Sequence, residues 1–211
     1  MKQDLKLLEV AALLAMGLCV LLSLTGAART RDRISGAVLR LHVIANSDSA
    51  ADQNTKLAVR DALLKESKTL AAAQSKQQAE DRTAQLLQRF QSVAEQTVLE
   101  HGGSGPVQVS LERGVFPTRT YDGVTLPAGE YDALRVVIGK GEGKNWWCVM
   151  FPPLCLPAAQ QGTQLGDVLD DEALALTERQ PQYELRFWLL EQWELWKQRH
   201  AEKRTQEKTP G

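Results

Sequence analysis

The sequence predicts an α+β fold, in which an antiparallel sheet of about five strands packs against helices in the order β-α-α-β-β-β-β-α. Apolar residues recur at helical spacing over most of residues 50–100. After residue 106 the pattern changes to strict alternation, which is typical of strands. Short turns separate these later strands, and strands joined by short turns pair antiparallel.

The first strand is predicted over residues 38–45, where the apolar side chains alternate. The tetrapeptide Asn46–Ser49 ends this strand, and its side chains suit a helix start because they accept free backbone N–H groups. Ser49 and Asp52 also have the spacing of a capping box. The helix that follows is predicted to run to Glu66.

Two further helices, a hairpin and two strands follow from local signals. Helical spacing predicts a helix over residues 79–100, and the Asp122-Gly123 pair predicts a hairpin turn. Strands are predicted over residues 131–138 and 146–151. A last helix is predicted over residues 182–197, with three tryptophans on or beside its apolar face.

Residues 1–28 form a separate segment, predicted to be a signal peptide or a membrane anchor. Val10–Ala28 carries no charged residue and follows two lysines, as export signals require. The run is also about the length that crosses a bilayer. Arginines close behind it oppose export by the positive-inside rule. We nevertheless predict export, because the rest of the chain has the pattern of a folded extracytoplasmic domain; cleavage and anchoring both remain open.

Residues 34–200 are predicted to form a single α+β signalling domain. Residues 201–211 are charged, lack apolar anchors and are predicted to be disordered. The net charge of −1 gives no general attraction to nucleic acid. No phosphate loop, metal-ligand spacing or framed nucleophile is recognisable, so we predict no catalytic residue, cofactor, metal or small-molecule substrate.

Two cysteines, Cys148 and Cys155, lie beyond the N-terminal segment at short spacing. In an exported protein such a pair predicts a disulfide. The alternative is two buried free thiols. A thiol-dependent hydrolase that uses Cys148 with His42 is a further, weaker alternative, because no helix-start cysteine or nucleophile elbow is present.

The dipeptide Trp146-Trp147 lies on a predicted strand, where neighbouring side chains point to opposite faces. One tryptophan can pack in the core, and the other needs a second layer or a partner protein. The helix predicted over residues 182–197 is one candidate for that layer.

Two long motifs resemble the stage II sporulation protein R family. Leu39–Ser49 (LRLHVIANSDS), followed by Lys56–Leu64 (KLAVRDALL), resembles the opening motif of the family. Asn145–Cys155 (NWWCVMFPPLC) resembles its second motif, and Tyr131–Gly139 is similar as well. The resemblance covers roughly Ile34–Leu156 and extends weakly toward the C-terminus.

The resemblance implies a role in sporulation. Such a protein is made in the forespore and exported across the forespore membrane into the intermembrane space. There it activates a membrane-embedded aspartic protease, which processes a pro-sigma factor of the mother cell. The resemblance therefore implies a signal and not an enzyme. An envelope binding protein tethered by an uncleaved N-terminal segment is the alternative.

We predict that the surface in contact with this protease combines the polar turn after the first strand, the polar face of the next helix and the start of the second motif. The candidate residues are His42, Asn46, Ser47, Asp48, Asp52, Gln53, Lys56, Arg60, Asn145, Trp146 and Trp147.

Overall fold

A computed structural model describes residues 2–121, 123–154 and 165–178 of the chain. It confirms the α+β class, with helices beside a four-stranded sheet and a separate two-stranded sheet. The helix predicted over residues 182–197 and the tail predicted over 201–211 lie outside the described residues.

The helices follow the predicted caps but differ in extent. They are α1 (Lys2–Ala37), α2 (Ala50–Glu66), α3 (Lys76–Gln85), α4 (Leu87–Glu100), α5 (Leu165–Val168) and α6 (Asp171–Glu178), with a 3-10 helix over Ser67–Ala72. Ser49 caps α2, because its side chain accepts the backbone N–H of Asp52. The single helix predicted over residues 79–100 is divided into α3 and α4, because the backbone of Leu86 (φ −94°, ψ 1°) leaves helical geometry.

The strands are β1 (Leu39–Ile44), β2 (Val107–Phe116), β3 (Arg119–Tyr121), β4 (Val124–Leu126), β5 (Gly129–Ile138) and β6 (Asn145–Phe151). Four of them form the main sheet, in the order β2-β5-β1-β6. The prediction of a wholly antiparallel sheet is wrong at one pair, since β1 runs parallel to β5. Three α-helices, the 3-10 helix and the strands β2, β3 and β4 lie between β1 and β5 in sequence, so no short turn dictates their relative direction.

The hairpin predicted around Asp122-Gly123 is confirmed as β3 and β4, although Asp122 itself is not described. It does not join the main sheet. Its two strands pair with each other, with Thr120 opposite Thr125, and pack against one face of the main sheet near α6.

One face of the main sheet is covered by α2 and α4. Alternating apolar residues of the strands meet the apolar stripes of these helices and form the largest core cluster. Its fully buried members include Leu41, Val43, Val59, Leu63, Phe90, Ala94, Leu134 and Val136. The opposite face holds a second cluster, toward the start of β1, which the β3–β4 hairpin, α1, α5 and α6 cover.

Helix α1 continues unbroken past Ala28 to Ala37. Its last turns belong to the folded body, since Thr30 and Ile34 are buried and Ile34 packs with Val38 and Tyr131. In the part of the chain that the structure describes, no helix combines the length and the apolar character needed to cross a membrane.

Candidate partner-binding site

Strand pairing brings the two sequence motifs together. Strand β6 runs antiparallel to β1, so that His42 lies opposite Trp147 and Ile44 lies opposite Asn145. The turn after β1 and the turn before β6 therefore meet at one end of the sheet. All eleven candidate residues lie at this end or on the adjoining turns of α2.

Asn46 connects the two turns. Its Oδ1 accepts the backbone N–H of Lys140 at 3.0 Å, and its Nδ2 donates to Oδ2 of Asp52 at 3.0 Å. The Ser47 hydroxyl donates to the same carboxylate oxygen at 2.5 Å. These hydrogen bonds, first from Ser47 and then from Asn46, hold the pKa of Asp52 below its usual range.

Asp48 has a different role from the predicted helix start. Its Oδ1 accepts the backbone N–H of Lys144 at 2.8 Å, whereas the capping side chain of α2 is that of Ser49. Asp48 therefore fastens the turn before β6 to the turn after β1.

The pattern of α2 predicted that Lys56 lies on a solvated helix face, and this prediction is wrong. Its side chain is buried and its Nζ donates to Oε1 of Gln53 at 2.6 Å and to the carbonyl of Lys144 at 3.1 Å. Gln53 in turn donates from Nε2 to the carbonyl of Ser47 at 2.8 Å. Buried ammonium groups need such acceptors, so these polar residues stabilise the junction.

Two glycines allow the turns to approach this closely. Gly139 has a φ of +59°, and a Cβ placed on it would lie 2.2 Å from Oδ1 of Asn46. A Cβ on Gly143 would lie 2.3 Å from the carbonyl oxygen of Ser47. We name the junction formed by Asn46–Gln53, Lys56 and Gly139–Lys144 the polar lock.

Beside the polar lock, His42 and Trp147 form a stacked pair. Their ring centroids are 3.7 Å apart at an interplanar angle of 19°, and both side chains are half-buried. Nε2 of His42 lies 2.9 Å from Oδ1 of the exposed Asn145, as expected if Nε2 carries the ring proton. Burial lowers the pKa of His42 to about 4, so the ring is neutral at pH 7.

Trp146 lies on the other sheet face, which confirms the prediction that the two tryptophans diverge. It is half-buried against the core cluster under α2 and α4. The guanidinium of Arg60 lies 4.3 Å from the centroid of its ring, a cation–π contact.

Arg40 is a notable residue of this region that the sequence patterns did not single out. It is fully buried, and its guanidinium carbon lies 4.3 Å from the ring centroid of Phe116 and 4.8 Å from that of Tyr131. Its Nη2 donates to the hydroxyl of Tyr121 at 2.5 Å. The sequence does contain a sign of this unusual face, because Arg40 and His42 place two polar side chains on one face of an otherwise apolar strand.

The Cys–His pair of a thiol-dependent hydrolase is not assembled. Cys148 is buried in the core cluster under α2 and α4, whereas His42 stacks on the opposite sheet face. Cys155 lies outside the described residues, so its disulfide with Cys148 stays a prediction. Among the described residues, no group of three or more His, Cys, Asp or Glu side chains is placed to hold a metal ion.

Comparisons with known proteins point to one family. The family model described as stage II sporulation protein R matches residues 35–161, which include β1 to β6 and every candidate residue. Stage II sporulation protein R of Bacillus subtilis (strain 168) is 36% identical over 141 residues, which make up 66% of this chain. The chain spans 63% of the length of that relative. No solved structure is a significant match.

Proposed function

Because the chain belongs to the stage II sporulation protein R family, we propose that it acts as an exported signal between the two compartments of a sporulating cell. In this proposal the protein is made in the forespore and crosses the forespore membrane. It then activates a membrane-embedded aspartic protease, which processes a pro-sigma factor in the mother cell.

The observation that supports this proposal best is the construction of the site. Hydrogen bonds of the polar lock join the turn after β1 to the turn before β6. The stacked His42–Trp147 pair beside it is only half-buried. A preorganised aromatic and polar surface suits protein recognition, because little conformational entropy is lost on binding. A ligand that binds one state of a receptor more tightly shifts its equilibrium without any reaction. About 1–3 kcal/mol of such coupling changes an activity several-fold to a hundredfold.

Export is supported by the sequence of the N-terminal segment. Val10–Ala28 has the length and the absence of charge that engage an export machinery, and small residues precede Arg29. The proposal does not depend on cleavage of the segment, since export alone places the domain outside the forespore membrane.

The proposal is tested by changing the location of the protein while its folded domain stays the same. Residues 2–28 are deleted in one strain and replaced by an unrelated cleavable signal peptide in another. Arg29–Ala37 is kept in both, because Thr30 and Ile34 pack in the body. We expect loss of pro-sigma processing in the first strain and recovery in the second. Processing by the leaderless, cytoplasmic protein at the wild-type level would contradict the external role.

The surface is tested with variants that leave the polar lock intact. We expect Asn145→Ala and Trp147→Leu to reduce processing at least several-fold while the exported protein accumulates normally. Leu99→Ala is the matched control, because this exposed residue of α4 lies outside the candidate site. Charge reversal at Lys56 is unsuitable, since Lys56 is buried within the lock. Normal processing by both site variants would place the receptor surface elsewhere.

A further inference from the structure

Among the described residues, Arg40 is a buried charge without a carboxylate partner. Its relative exposure is 0%, and Nε and Nη1 have no hydrogen-bond partner there. The described groups that act on it electrostatically are Tyr121, Tyr131 and Arg119, none of which is a carboxylate. Within the described part of the chain, the guanidinium donates one hydrogen bond, from Nη2 to the hydroxyl of Tyr121.

This arrangement lowers the stability of the folded state. Buried guanidinium groups are normally paired with an anion, because removal from water strongly disfavours an isolated charge. The rings of Phe116 and Tyr131 offset part of this cost through cation–π contacts. Rings do not replace the acceptor oxygens that Nε and Nη1 lack. An apolar side chain of similar volume would fill the same space without an unpaired charge.

The surroundings of Arg40 favour an incoming anion. Arg135 and Arg119 lie near the same sheet face, and the acidic group close by is Glu112, which is 3.4 Å from Arg135. His42, two residues along β1 on the same face, is neutral at pH 7 and adds no charge. Among these described groups, positive charge is therefore in surplus.

Access to Arg40 is closed by a small element. Tyr121, half-buried, belongs to the β3–β4 hairpin, whose strands have three residues each and do not join the main sheet. Such a two-stranded ribbon is stabilised mainly by what it packs against. Because Tyr121 accepts the hydrogen bond from Nη2 of Arg40, an incoming acceptor would have to displace this side chain.

We propose that Arg40 binds a carboxylate, which enters beside the His42–Trp147 pair, displaces the hydroxyl of Tyr121 and accepts the free N–H groups of the guanidinium. The carboxylate is that of an acidic side chain of the protein partner, and in this respect the inference rests on the proposed function. Arg–carboxylate hydrogen bonds are among the strongest in proteins, so one such contact is enough to anchor a docking segment.

The binding chemistry is tested without any receptor. The full chain, purified in an uncharged detergent, is titrated with sodium acetate at pH 7 and constant ionic strength, with sodium chloride as the balancing salt. Intrinsic tryptophan fluorescence, to which Trp147 contributes with the four other tryptophans of the chain, is the readout. We expect a saturable change in the wild type, none in Arg40→Met, and a lower midpoint in Tyr121→Phe, which lacks the competing hydroxyl. Arg113→Met is the matched control, since this exposed arginine is paired with Glu130 on β5.

Two outcomes would overturn the carboxylate site. One is the absence of a saturable response in both the wild type and Tyr121→Phe. The other is an equal response in Arg40→Met. Because neither depends on signalling, failure here leaves the proposed export and activation role untouched.

The link to the receptor is tested by comparing stability with signalling. We expect Arg40→Met to melt at or above the wild-type temperature and yet to lose pro-sigma processing at least tenfold. Tyr121→Phe should retain processing, which guards against a general defect of this region. A lower melting temperature of Arg40→Met with a proportional loss of processing would make Arg40 a structural residue. Normal processing by Arg40→Met would separate the site from the receptor.

Discussion

The two faces of the main sheet are built on different principles. The face under α2 and α4 is filled mainly by aliphatic residues, together with Phe90, Cys148 and Met150. On the opposite face, Arg40 and His42 of β1 lie among Phe116, Tyr131 and Trp147. Both faces share the strand β1, in which alternate side chains point to each.

This difference between the two faces indicates that one face mainly stabilises the fold and the other is better suited to recognition. Burial of aliphatic side chains under the helices stabilises the fold in proportion to the area removed from water. The arginine and the histidine on the other face are partly or wholly desolvated, which opposes folding for each. A face that carries such groups is therefore the better candidate for contact with a partner.

The largest effect is expected on the helix-covered face. Phe90→Ala removes a fully buried ring from the core cluster and should lower the free energy of unfolding by about 3–5 kcal/mol. Leu99→Ala on the same helix is the control, because Leu99 is 72% exposed and should change stability by less than about 0.5 kcal/mol. Urea unfolding measures both. Equal effects of the two substitutions would mean that α4 does not pack on the sheet as described.

A smaller effect is expected at the polar lock, which joins the ends of β1 and β6. Gly143→Ala would place a Cβ 2.3 Å from the carbonyl oxygen of Ser47, and the backbone must shift to make room. We expect a loss of about 1–3 kcal/mol in urea unfolding. Gly36→Ala is the control, since nothing lies within 4 Å of its added Cβ, and in a helix it should be stabilising by about 0.5–1 kcal/mol. A neutral Gly143→Ala would contradict the tight junction.

The opposite face should respond to pH through His42. The folded state holds the pKa of His42 at about 4, while an unfolded histidine titrates near its ordinary value of about 6.5. Below about pH 6.5 the unfolded state therefore binds one more proton, so stability falls as the pH drops to about 4 and is unaffected by His42 above pH 7.

His42→Phe keeps an aromatic ring against Trp147 but cannot titrate, so it should flatten this part of the stability profile. His101→Gln at the exposed end of α4 should retain the wild-type shape. Unfolding free energies measured between pH 4 and pH 7.5 decide the matter. An unchanged slope in His42→Phe would show that His42 is not buried against Trp147 as described.

The smallest effect is expected where Arg60 covers Trp146. The cation–π contact at the surface should contribute about 0.5–1 kcal/mol. A double-mutant cycle of Arg60→Ala and Trp146→Leu measures it, because the coupling energy removes effects that each residue has alone. A coupling energy indistinguishable from zero would show that the contact between Arg60 and Trp146 does not contribute to stability.

Local signals predicted much of the fold. The cap at Ser49, the hairpin of β3 and β4 and the divergence of Trp146 and Trp147 are confirmed, because each depends on a few neighbouring residues. The break at Leu86 was missed, because apolar residues recur at helical spacing on both sides of it. The structure places the candidate residues at one end of the sheet or on the adjoining turns of α2. The roles of Asp48 and Lys56 were not predicted, because their partners include the distant Lys144.

By itself, the sequence determined the α+β class, the boundaries of most strands, the two motifs and the family to which they belong. Hydrophobic periodicity and turn chemistry are local properties, so they can be read along the chain. Only the tertiary structure decided that β1 lies parallel to β5, that His42 and Cys148 face opposite sides, and that Arg40 lies buried with no carboxylate partner among the described residues. These features depend on which distant segments become neighbours, and the packing of the whole domain selects among pairings that local patterns leave equally open.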